Sequence, residues 1–284
     1  MGLFSDILLT VDYDHTMTGT NNTVPAQNLE AIRYFMENGG AFTLNTGRSI
    51  PMSRALRETV PVNAPMLLYN GAVALDTKTE EMLFCHTIPL DMRQTISWCL
   101  ETFPDLIVEV QSLEAHYCFQ NSPEWYEFRG NNHCARRFAT LDEDLGPFLK
   151  FTIYLPIRGK AINDMYTATD AERARLLEAE RLIRERYGHA VDLFRSAARI
   201  MDVQAKGVSK DKAARELQKR LGRKILVCAG DGENDLPMLK EADYAFSPAD
   251  GAMAAYFPTV CNCGEGAVAD VIYEKIPEIV KNKS

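Results

Sequence analysis

The chain of 284 residues can hold one large or two ordinary domains, and its composition, 46% hydrophobic and 25% charged, is that of a globular protein. Its net charge of −8, without a long basic run, argues against nucleic acid or an anionic membrane as the main partner. No apolar stretch approaches the ~20 residues of a membrane span, and we expect a protein without a signal peptide. Seven scattered cysteines fit a reducing cytoplasm, and the pair Cys261 and Cys263 is interpreted as ordinary strand-end cysteines and not as a metal or redox site.

The first 75 residues alternate strands and helices. The segment LLTV predicts a buried strand, and Pro25 opens a helical pattern that stops at a pair of glycines. The segments AFTLNTGR and MLLYNGA predict the second and third strands, with a helix from Met52 to about Thr59 between them. Apolar strands separated by helices predict a parallel sheet that is covered on both faces.

The middle of the chain follows a different pattern. It predicts a helix, the strands LIVEVQ and AHYCFQ, a polar helical stretch, the strand LKFTIYL, a long charged helix, and the strands AVDLFR and ARIMDVQ. The alternation of strands and helices then returns, with a helix that ends at Gly222 and the strands ILVCAG, YAFSP and PTVCN. We therefore predict a core made of residues 1–87 and 198–284, with a second α+β domain, residues 88–197, inserted into it.

Polar residues follow the apolar strands where these strands end. In an open parallel sheet, ligands bind outside the carboxyl ends of the strands, where helix N-termini also point. One edge of the sheet is therefore expected to collect Asp12, Asp14, Asn45, Thr46, Arg48, Asn70, Gly71, Lys210, Asp231, Asn234 and Asp235.

Such a cluster of acids favours phosphate chemistry with a metal ion. Carboxylates that lie close together raise one another's pKa or require a cation, and an all-oxygen site suits Mg²⁺. Asp12 can act as a nucleophile that forms an aspartyl-phosphate, while Asp14 can protonate the leaving alkoxide and later activate water. Thr46 and Lys210 can hold the phosphoryl oxygens, and Asp231 can anchor the metal.

Four motifs resemble those of the haloacid dehalogenase superfamily. DYDHT resembles the first motif, Asp-x-Asp-x-Thr; LNTGR is similar to the second; GVSK, which contains Lys210, looks like the third; and GDGEND resembles the fourth, Gly-Asp-x-x-Asn-Asp. YNGA and GEGAVADVI are further marks of the Cof-type branch of sugar-phosphate phosphatases. All four motifs occur in order over the whole chain.

The resemblance implies an α/β fold, with a Rossmann-like parallel-sheet core and a large α+β cap inserted after the third strand. It also implies Mg²⁺ held by the Asp12 carboxylate, the Asp14 backbone carbonyl and the Asp231 carboxylate. Asp235 is expected to support that metal shell or to pair with Lys210.

The predicted function is that of a Mg²⁺-dependent phosphatase with a small phosphorylated metabolite, a sugar phosphate by expectation, as its substrate. We expect a cytoplasmic enzyme with no nucleic-acid or membrane partner, and the sequence leaves its oligomeric state open. His15 stands where the branch usually has Gly, which leaves the substrate's identity open. The residues predicted to bind the substrate are Thr46, Gly47, Arg48, Asn70, Gly71, Lys210 and Asn234.

Several alternatives stay open. Lys206 and Lys212 are rivals of Lys210, although the spacing in KGVSKDKA favours Lys210, and Arg48 is as well suited to pair with an acid as with substrate. A phosphomutase would use the same chemistry, and a receiver-type module would hold the phosphate without turnover. In the cap, six side chains could reach a sugar, although a core or solvated role is favoured for each: His116, Tyr117, Trp125, Tyr126, Arg129 and His133.

Overall fold

A computed structural model describes residues 2–120, 125, 135–156 and 167–281. In chain order, the strands are β1 (Ile7–Val11), β2 (Ala41–Leu44), β3 (Met66–Leu68), β4 (Val73–Leu75), β5 (Met82–Cys85), β6 (Ile107–Ser112), β7 (His116–Cys118), β8 (Arg136–Phe138), β9 (Phe148–Tyr154), β10 (Val191–Ala197), β11 (Ile200–Ala205), β12 (Ile225–Ala229), β13 (Tyr244–Pro248) and β14 (Thr259–Val260). The α-helices are α1 (Ala26–Glu37), α2 (Ile50–Thr59), α3 (Met92–Thr102), α4 (Asp170–Tyr187), α5 (Lys210–Arg220), α6 (Leu236–Glu241), α7 (Ala267–Asp270) and α8 (Ile276–Lys281).

The chain divides into two compact units. The first contains residues 1–48, 55–85 and 209–284, and the second contains residues 49–54 and 86–208. The inserted domain therefore runs past its predicted end at residue 197, because β11 pairs along its length with β10 and β9. A boundary between residues 197 and 198 would separate the two strands of this antiparallel pair.

The first unit is built on a five-stranded parallel sheet in the order β14-β13-β12-β1-β2. Strand β1 lies between β12 and β2, and all five of its residues are buried. A strand covered on both faces has to be apolar throughout, and for this reason ILLTV shows no alternation of polar and apolar residues. The predicted α/β class with a parallel core sheet is confirmed.

The predicted third strand behaves differently from the first two. In the described residues, strand β3 joins the parallel sheet through one isolated bridge, between Asn45 and Leu67, and its ladder is with β4. Strands β3, β4 and β5 form a small antiparallel sheet of their own. The turn Tyr69–Gly71 between β3 and β4 thus comes directly after a strand end.

The second unit contains a six-stranded sheet in the order β10-β11-β9-β6-β7-β8, in which all pairs are antiparallel except β7 with β8. Helix α3 packs against β6 and helix α4 against β10. The Trp98 ring of α3 meets the Tyr187 ring of α4 edge-on, with 5.3 Å between their centroids. Helix α4 buries the stripe Leu176, Ala179, Ile183 and Tyr187, as its apolar spacing predicts. The predicted α+β character of the inserted domain is confirmed.

In the described residues, no helix is both long enough and apolar enough to cross a bilayer.

The start of helix α4 carries a charged capping network. The Thr169 hydroxyl and the Glu172 carboxylate form a capping box, and Glu172 Oε1 also accepts a hydrogen bond from Arg199 Nη2 at 2.9 Å. Arg199, which is buried, donates in addition to the backbone carbonyl of Pro156 at 2.6 Å. These hydrogen bonds, from Arg199 above all, lower the pKa of Glu172 from 4.5 to about 2.

We predict that Glu172→Gln lowers the free energy of unfolding by about 1–3 kcal/mol at pH 7, because a charge-assisted bond to Arg199 is lost. A carboxyl whose pKa is depressed on folding stabilises fully above its unfolded pKa and loses that contribution as the pH falls through the folded value. The difference between wild type and variant should therefore shrink from pH 4.5 towards pH 2 in urea titrations. A pH-independent difference would contradict the assignment.

Candidate active site

The carboxyl ends of three neighbouring parallel strands bring the predicted residues of the core together. Asp12 follows β1, Thr46 lies two residues after β2, and Asp231 and Asp235 follow β12. Lys210 is the first residue of α5. Because β1 lies between β2 and β12, Asp12 has a central place at this edge.

The ammonium group of Lys210 lies between two carboxylates. Its Nζ is 2.5 Å from Asp12 Oδ1 and 2.6 Å from Asp235 Oδ1. The Lys210 side chain is 1% exposed. Of its two rivals, Lys206 is exposed and its Nζ donates to the carbonyl of Gly188, and in the described residues Lys212 has no contact with Asp12 or Asp235. Burial alone would lower the pKa of Lys210, but the two carboxylates outweigh it and raise that pKa. The lysine is therefore held as a cation.

The surroundings of Asp12 destabilise the charged form of its carboxylate. Burial raises its pKa, Lys210 lowers it, and the neighbouring Asp235, Asp231 and Asp14 raise it again, so that the pKa lies well above 3.8. Within the part of the chain that the structure describes, Oδ2 of Asp12 accepts no hydrogen bond, whereas Oδ1 accepts the one from Lys210. One oxygen is thus fixed and the other is open.

Asp231 faces the same cluster from β12. Its Oδ1 accepts a hydrogen bond from the Thr16 hydroxyl at 2.8 Å. Burial, with the charge of Asp235, raises the pKa of Asp231 to about 7. A carboxylate with this pKa at neutral pH lacks a full set of compensating charges, which is the property expected of a metal ligand.

Asp235 has a supporting position. Its Oδ1 accepts from Lys210, and its Oδ2 accepts from the backbone N–H groups of Asp231 and Gly232, each at 3.1 Å. Both oxygens are therefore already bonded within the protein. Asp235 fixes the Asp231 loop and the lysine together.

The donor set fits a hard divalent cation. One carboxylate oxygen from each of Asp12, Asp231 and Asp235 lies within 4.8 Å of the other two, and Asp12 and Asp231 each keep an oxygen that is unbonded within the described residues. Two buried acids, Asp12 and Asp235, and the half-buried Asp231 face one lysine, so a cation would relieve an excess of negative charge.

Asp14 lies two residues after Asp12 and forms a bidentate ion pair with Arg48. Arg48 Nη2 is 2.6 Å from Asp14 Oδ1 and Arg48 Nε is 3.0 Å from Asp14 Oδ2. The guanidinium also lies over the Tyr13 ring, 4.7 Å from its centroid. Partial burial would raise the pKa of Asp14, but Arg48 outweighs it and lowers that pKa. Of the two roles left open for Arg48, the pairing with an acid is present in the structure.

His15 has a left-handed backbone, with φ of 59° and ψ of 10°. Glycine adopts this conformation without strain, which explains why a glycine suits this position and a histidine is a departure. The turn that contains His15 folds the chain back so that the N–H of Met17 donates to the carbonyl of Asp12 at 3.2 Å.

A strained turn follows β3. Tyr69, Asn70 and Gly71 all have positive φ, at 51°, 52° and 96°. The N–H of Asn70 donates to the carbonyl of Thr46 at 3.0 Å, which ties the turn to the end of β2. A side chain at Gly71 would lie 2.5 Å from the Ser209 carbonyl oxygen, so the turn comes against the residue that precedes Lys210.

The comparison with known protein families identifies the family of the chain. A sequence model of the haloacid dehalogenase-like hydrolases matches residues 9–255, a stretch that includes all four motifs. The chain belongs to the haloacid dehalogenase-like hydrolases. The family resemblance inferred from DYDHT, LNTGR, GVSK and GDGEND is therefore confirmed.

Solved structures share the fold of this hydrolase over nearly its whole length. A haloacid dehalogenase-like hydrolase from Bacteroides thetaiotaomicron is 21% identical, with a TM-score of 0.77, covering 95% of this chain and 98% of its own. The HAD subclass IIB sugar phosphatase BT4131 is 18% identical, with a TM-score of 0.75, covering 96% and 99%. BT1666 from Bacteroides thetaiotaomicron, described among phosphatases of the superfamily, is 17% identical, with a TM-score of 0.72, covering 98% and 96%.

Not every candidate of this hydrolase joins the cluster of acids. Gly47 lies beside the Asn70 amide, since a Cβ on it would be 2.8 Å from Asn70 Oδ1. Asn234 is half-buried and, in the described residues, makes no hydrogen bond to Asp12, Asp231 or Lys210.

Three of the six candidates of the inserted domain lie in the described residues, and all three, His116, Tyr117 and Trp125, are buried. His116 Nδ1 is 3.1 Å from Glu109 Oε1, and Trp125 Nε1 donates to Glu109 Oε2 at 2.7 Å. Tyr117 is buried beneath the Arg137 guanidinium. These positions favour the core role over contact with a sugar. Tyr126, Arg129 and His133 lie outside the described residues.

Two residues of the site had no role assigned from the sequence. Thr16, the last residue of the first motif, bonds Asp231, and the signal for it was the motif itself. Asn45, one residue before Thr46, donates from Nδ2 to the backbone carbonyl of Lys210 at 2.9 Å. No local sequence pattern predicts that contact, because its two partners are 165 residues apart.

Gly71 gives a test of how the turn and helix α5 fit together. We predict that Gly71→Ala lowers the free energy of unfolding by about 2–4 kcal/mol, because backbone strain and a close contact with Ser209 add. Gly222 is a matched control, with φ of 64° and nothing within 4 Å of an added Cβ. Gly222→Ala should lose only about 1 kcal/mol in denaturant titrations. Equal losses would contradict the close contact.

Proposed function

We propose that this hydrolase is a Mg²⁺-dependent phosphatase that cleaves a small phosphorylated metabolite through an aspartyl-phosphate on Asp12. One observation carries the proposal. Asp12 has one carboxylate oxygen held by a buried lysine and the other open, with a second carboxylate two residues further along the same strand end. Nucleophilic catalysis of phosphoryl transfer needs such an arrangement.

In the first half of the reaction, Asp12 Oδ2 attacks phosphorus and the bond from phosphorus to the ester oxygen breaks. The hydrogen bond from Lys210 to Oδ1 keeps the carboxylate oriented throughout. The leaving oxygen takes a proton from Asp14 and departs as an alcohol. In the second half, Asp14 removes a proton from water, the water oxygen attacks phosphorus, and Asp12 is released as inorganic phosphate forms.

The ion pair between Asp14 and Arg48 sets a condition on this cycle. Arg48 keeps Asp14 ionised, which is the state that a general base needs in the second half. For the first half Asp14 must carry a proton, so the pair has to open when substrate binds. A phosphoryl group, which is itself a strong acceptor, would compete for the guanidinium.

Mg²⁺ would be held by the carboxylates of Asp12 and Asp231 and by the backbone carbonyl of Asp14, with Asp235 supporting Asp231 through its two backbone N–H bonds. When bound, the cation would neutralise the charge on the transferring phosphoryl group.

The phosphoryl oxygens would be bound by groups that remain available as donors. The Thr46 hydroxyl accepts a hydrogen bond from the Arg48 backbone N–H at 3.2 Å, and within the described residues its own proton makes no hydrogen bond, so it can donate to a phosphoryl oxygen. Lys210 is a cation next to the nucleophile. Gly47, Asn70 and Gly71 line the same strand ends, and Asn234 follows β12, so we assign them to the substrate side as well.

A sugar phosphate is the substrate class that we propose. Support comes from the similarity of fold to BT4131, which is described as a sugar phosphatase, and from the YNGA and GEGAVADVI segments of the sequence.

A panel of phosphomonoesters tests the proposal. The wild-type protein should release inorganic phosphate from at least one sugar phosphate in the presence of Mg²⁺ and lose this activity in excess EDTA. Asp12→Asn keeps the shape of the side chain but removes the nucleophilic charge, so kcat should fall about 10³-fold or more.

Asp6→Asn is the matched control, because Asp6 lies at the opposite end of β1, where it pairs with the exposed Lys224. It should leave kcat unchanged. Absence of Mg²⁺-dependent phosphate release over the whole panel would contradict the proposal. An isomerised sugar phosphate without free phosphate would indicate a phosphomutase instead.

A further inference from the structure

Asn45 connects the end of strand β2 to the start of helix α5. It is fully buried, and its Nδ2 donates to the backbone carbonyl oxygen of Lys210 at 2.9 Å. Its backbone is fixed as well, since its N–H donates to the carbonyl of Val11 at 2.9 Å and the residue forms a parallel bridge with Leu67. The amide is therefore held in place by the backbone and is bonded to Lys210, the residue that carries the ammonium group of the site.

Lys210 needs such support because helix α5 begins without a side-chain cap. Ser209 is the N-cap residue, but its hydroxyl makes no capping hydrogen bond in the described structure. The first turn of a helix is its least restrained part when it lacks a cap. The Lys210 side chain nevertheless has to hold Nζ at 2.5 Å and 2.6 Å from two carboxylates.

The carbonyl oxygen of the Asn45 amide shows that packing alone does not explain why an asparagine occupies this position. Within the described residues, Oδ1 of Asn45 is buried and has no hydrogen-bond partner. An unsatisfied buried carbonyl oxygen costs about 1–3 kcal/mol, and an apolar side chain of the same shape would avoid that cost. Nδ2 also donates a hydrogen bond to Met238 Sδ at 3.3 Å, and leucine would fill the space beside that sulfur. Leucine could supply neither bond, and of the two only the bond to the Lys210 carbonyl holds helix α5.

We infer that Asn45 is a positioning residue, which holds the first residue of α5 so that the Lys210 ammonium stays between Asp12 and Asp235. The kinetic consequence of this inference rests on the proposed phosphatase function, whereas its structural consequence does not. Loss of the amide should displace the lysine by a fraction of an ångström to about 1 Å, a change that can lower a catalytic rate about 100-fold.

The test uses Asn45→Leu in the full-length protein. The melting temperature should stay equal or rise, because the unsatisfied oxygen is removed, while kcat on the best substrate falls about 10- to 100-fold with KM changed much less. A residue with a merely structural role would give the opposite pattern, a lower melting temperature with an unchanged kcat.

Asn63→Leu is the matched control. Asn63 is likewise an asparagine whose side chain bonds the backbone, accepting from the N–H of Phe42 at 2.8 Å and donating to the carbonyl of Gly40 at 2.9 Å, but at the opposite end of β2. This variant should be less stable and keep its kcat. If leucine at position 45 prevents folding, Asn45→Ala removes the same bond with less steric demand and is expected to show the same kinetic loss.

A crystal structure of the Asn45 variant separates failure of this inference from failure of the proposed function. Lys210 Nζ should leave hydrogen-bond distance of Asp12, of Asp235 or of both. If Nζ keeps both contacts and kcat is unchanged, the inference is overturned while the phosphatase proposal stands. If the wild-type protein has no phosphatase activity, the position of Nζ in the variant still decides the inference alone.

Discussion

The structure of the site depends on one buried cation between two buried anions. Lys210 Nζ contacts Asp12 and Asp235 at 2.5 and 2.6 Å, and all three side chains are at most 9% exposed. Transfer of single charges to such a place would cost several kcal/mol each, so none of the three is tolerable there without the others. The remaining acid, Asp231, is left without an equal partner, and this imbalance is what makes the cluster suited to a divalent cation and a phosphate ester.

The fold brings the charged side chains of the site close to one another. Asp12, Asp231 and the residues after β2 lie at the carboxyl ends of adjacent parallel strands, where the backbone is rigid and the side chains converge. Asp235 and Lys210 are then fixed by bonds that do not involve the reaction: two backbone N–H groups on Asp235 Oδ2 and the Asn45 amide on the Lys210 carbonyl. Asp235 and Lys210 are therefore already oriented before substrate binds, which reduces the free-energy cost of organising the site during catalysis.

The sequence predicts those parts of the structure that local pattern encodes. The apolar segments ILLTV and ILVCA have to be central strands, and the polar residues directly after them have to meet at one edge. Pairing partners are harder to predict. The pattern MLLYNGA shows a third strand, but nothing local indicates that β3 pairs with β4 and joins the main sheet through Asn45 and Leu67. For the same reason the end of the inserted domain was predicted too early, before β11, whose place in that sheet is set by β9 and β10.

The central claim is that Asp12 carries the phosphoryl group. The most direct test of this claim is rapid acid quenching of the protein during turnover, followed by borohydride reduction and identification of the modified peptide by mass spectrometry. An aspartyl-phosphate is reduced under these conditions, so the account predicts that the peptide containing Asp12 carries the modification and that omission of substrate abolishes it. Modification at a different residue would contradict the account, as would turnover in which no reducible acyl-phosphate can be trapped at any time point.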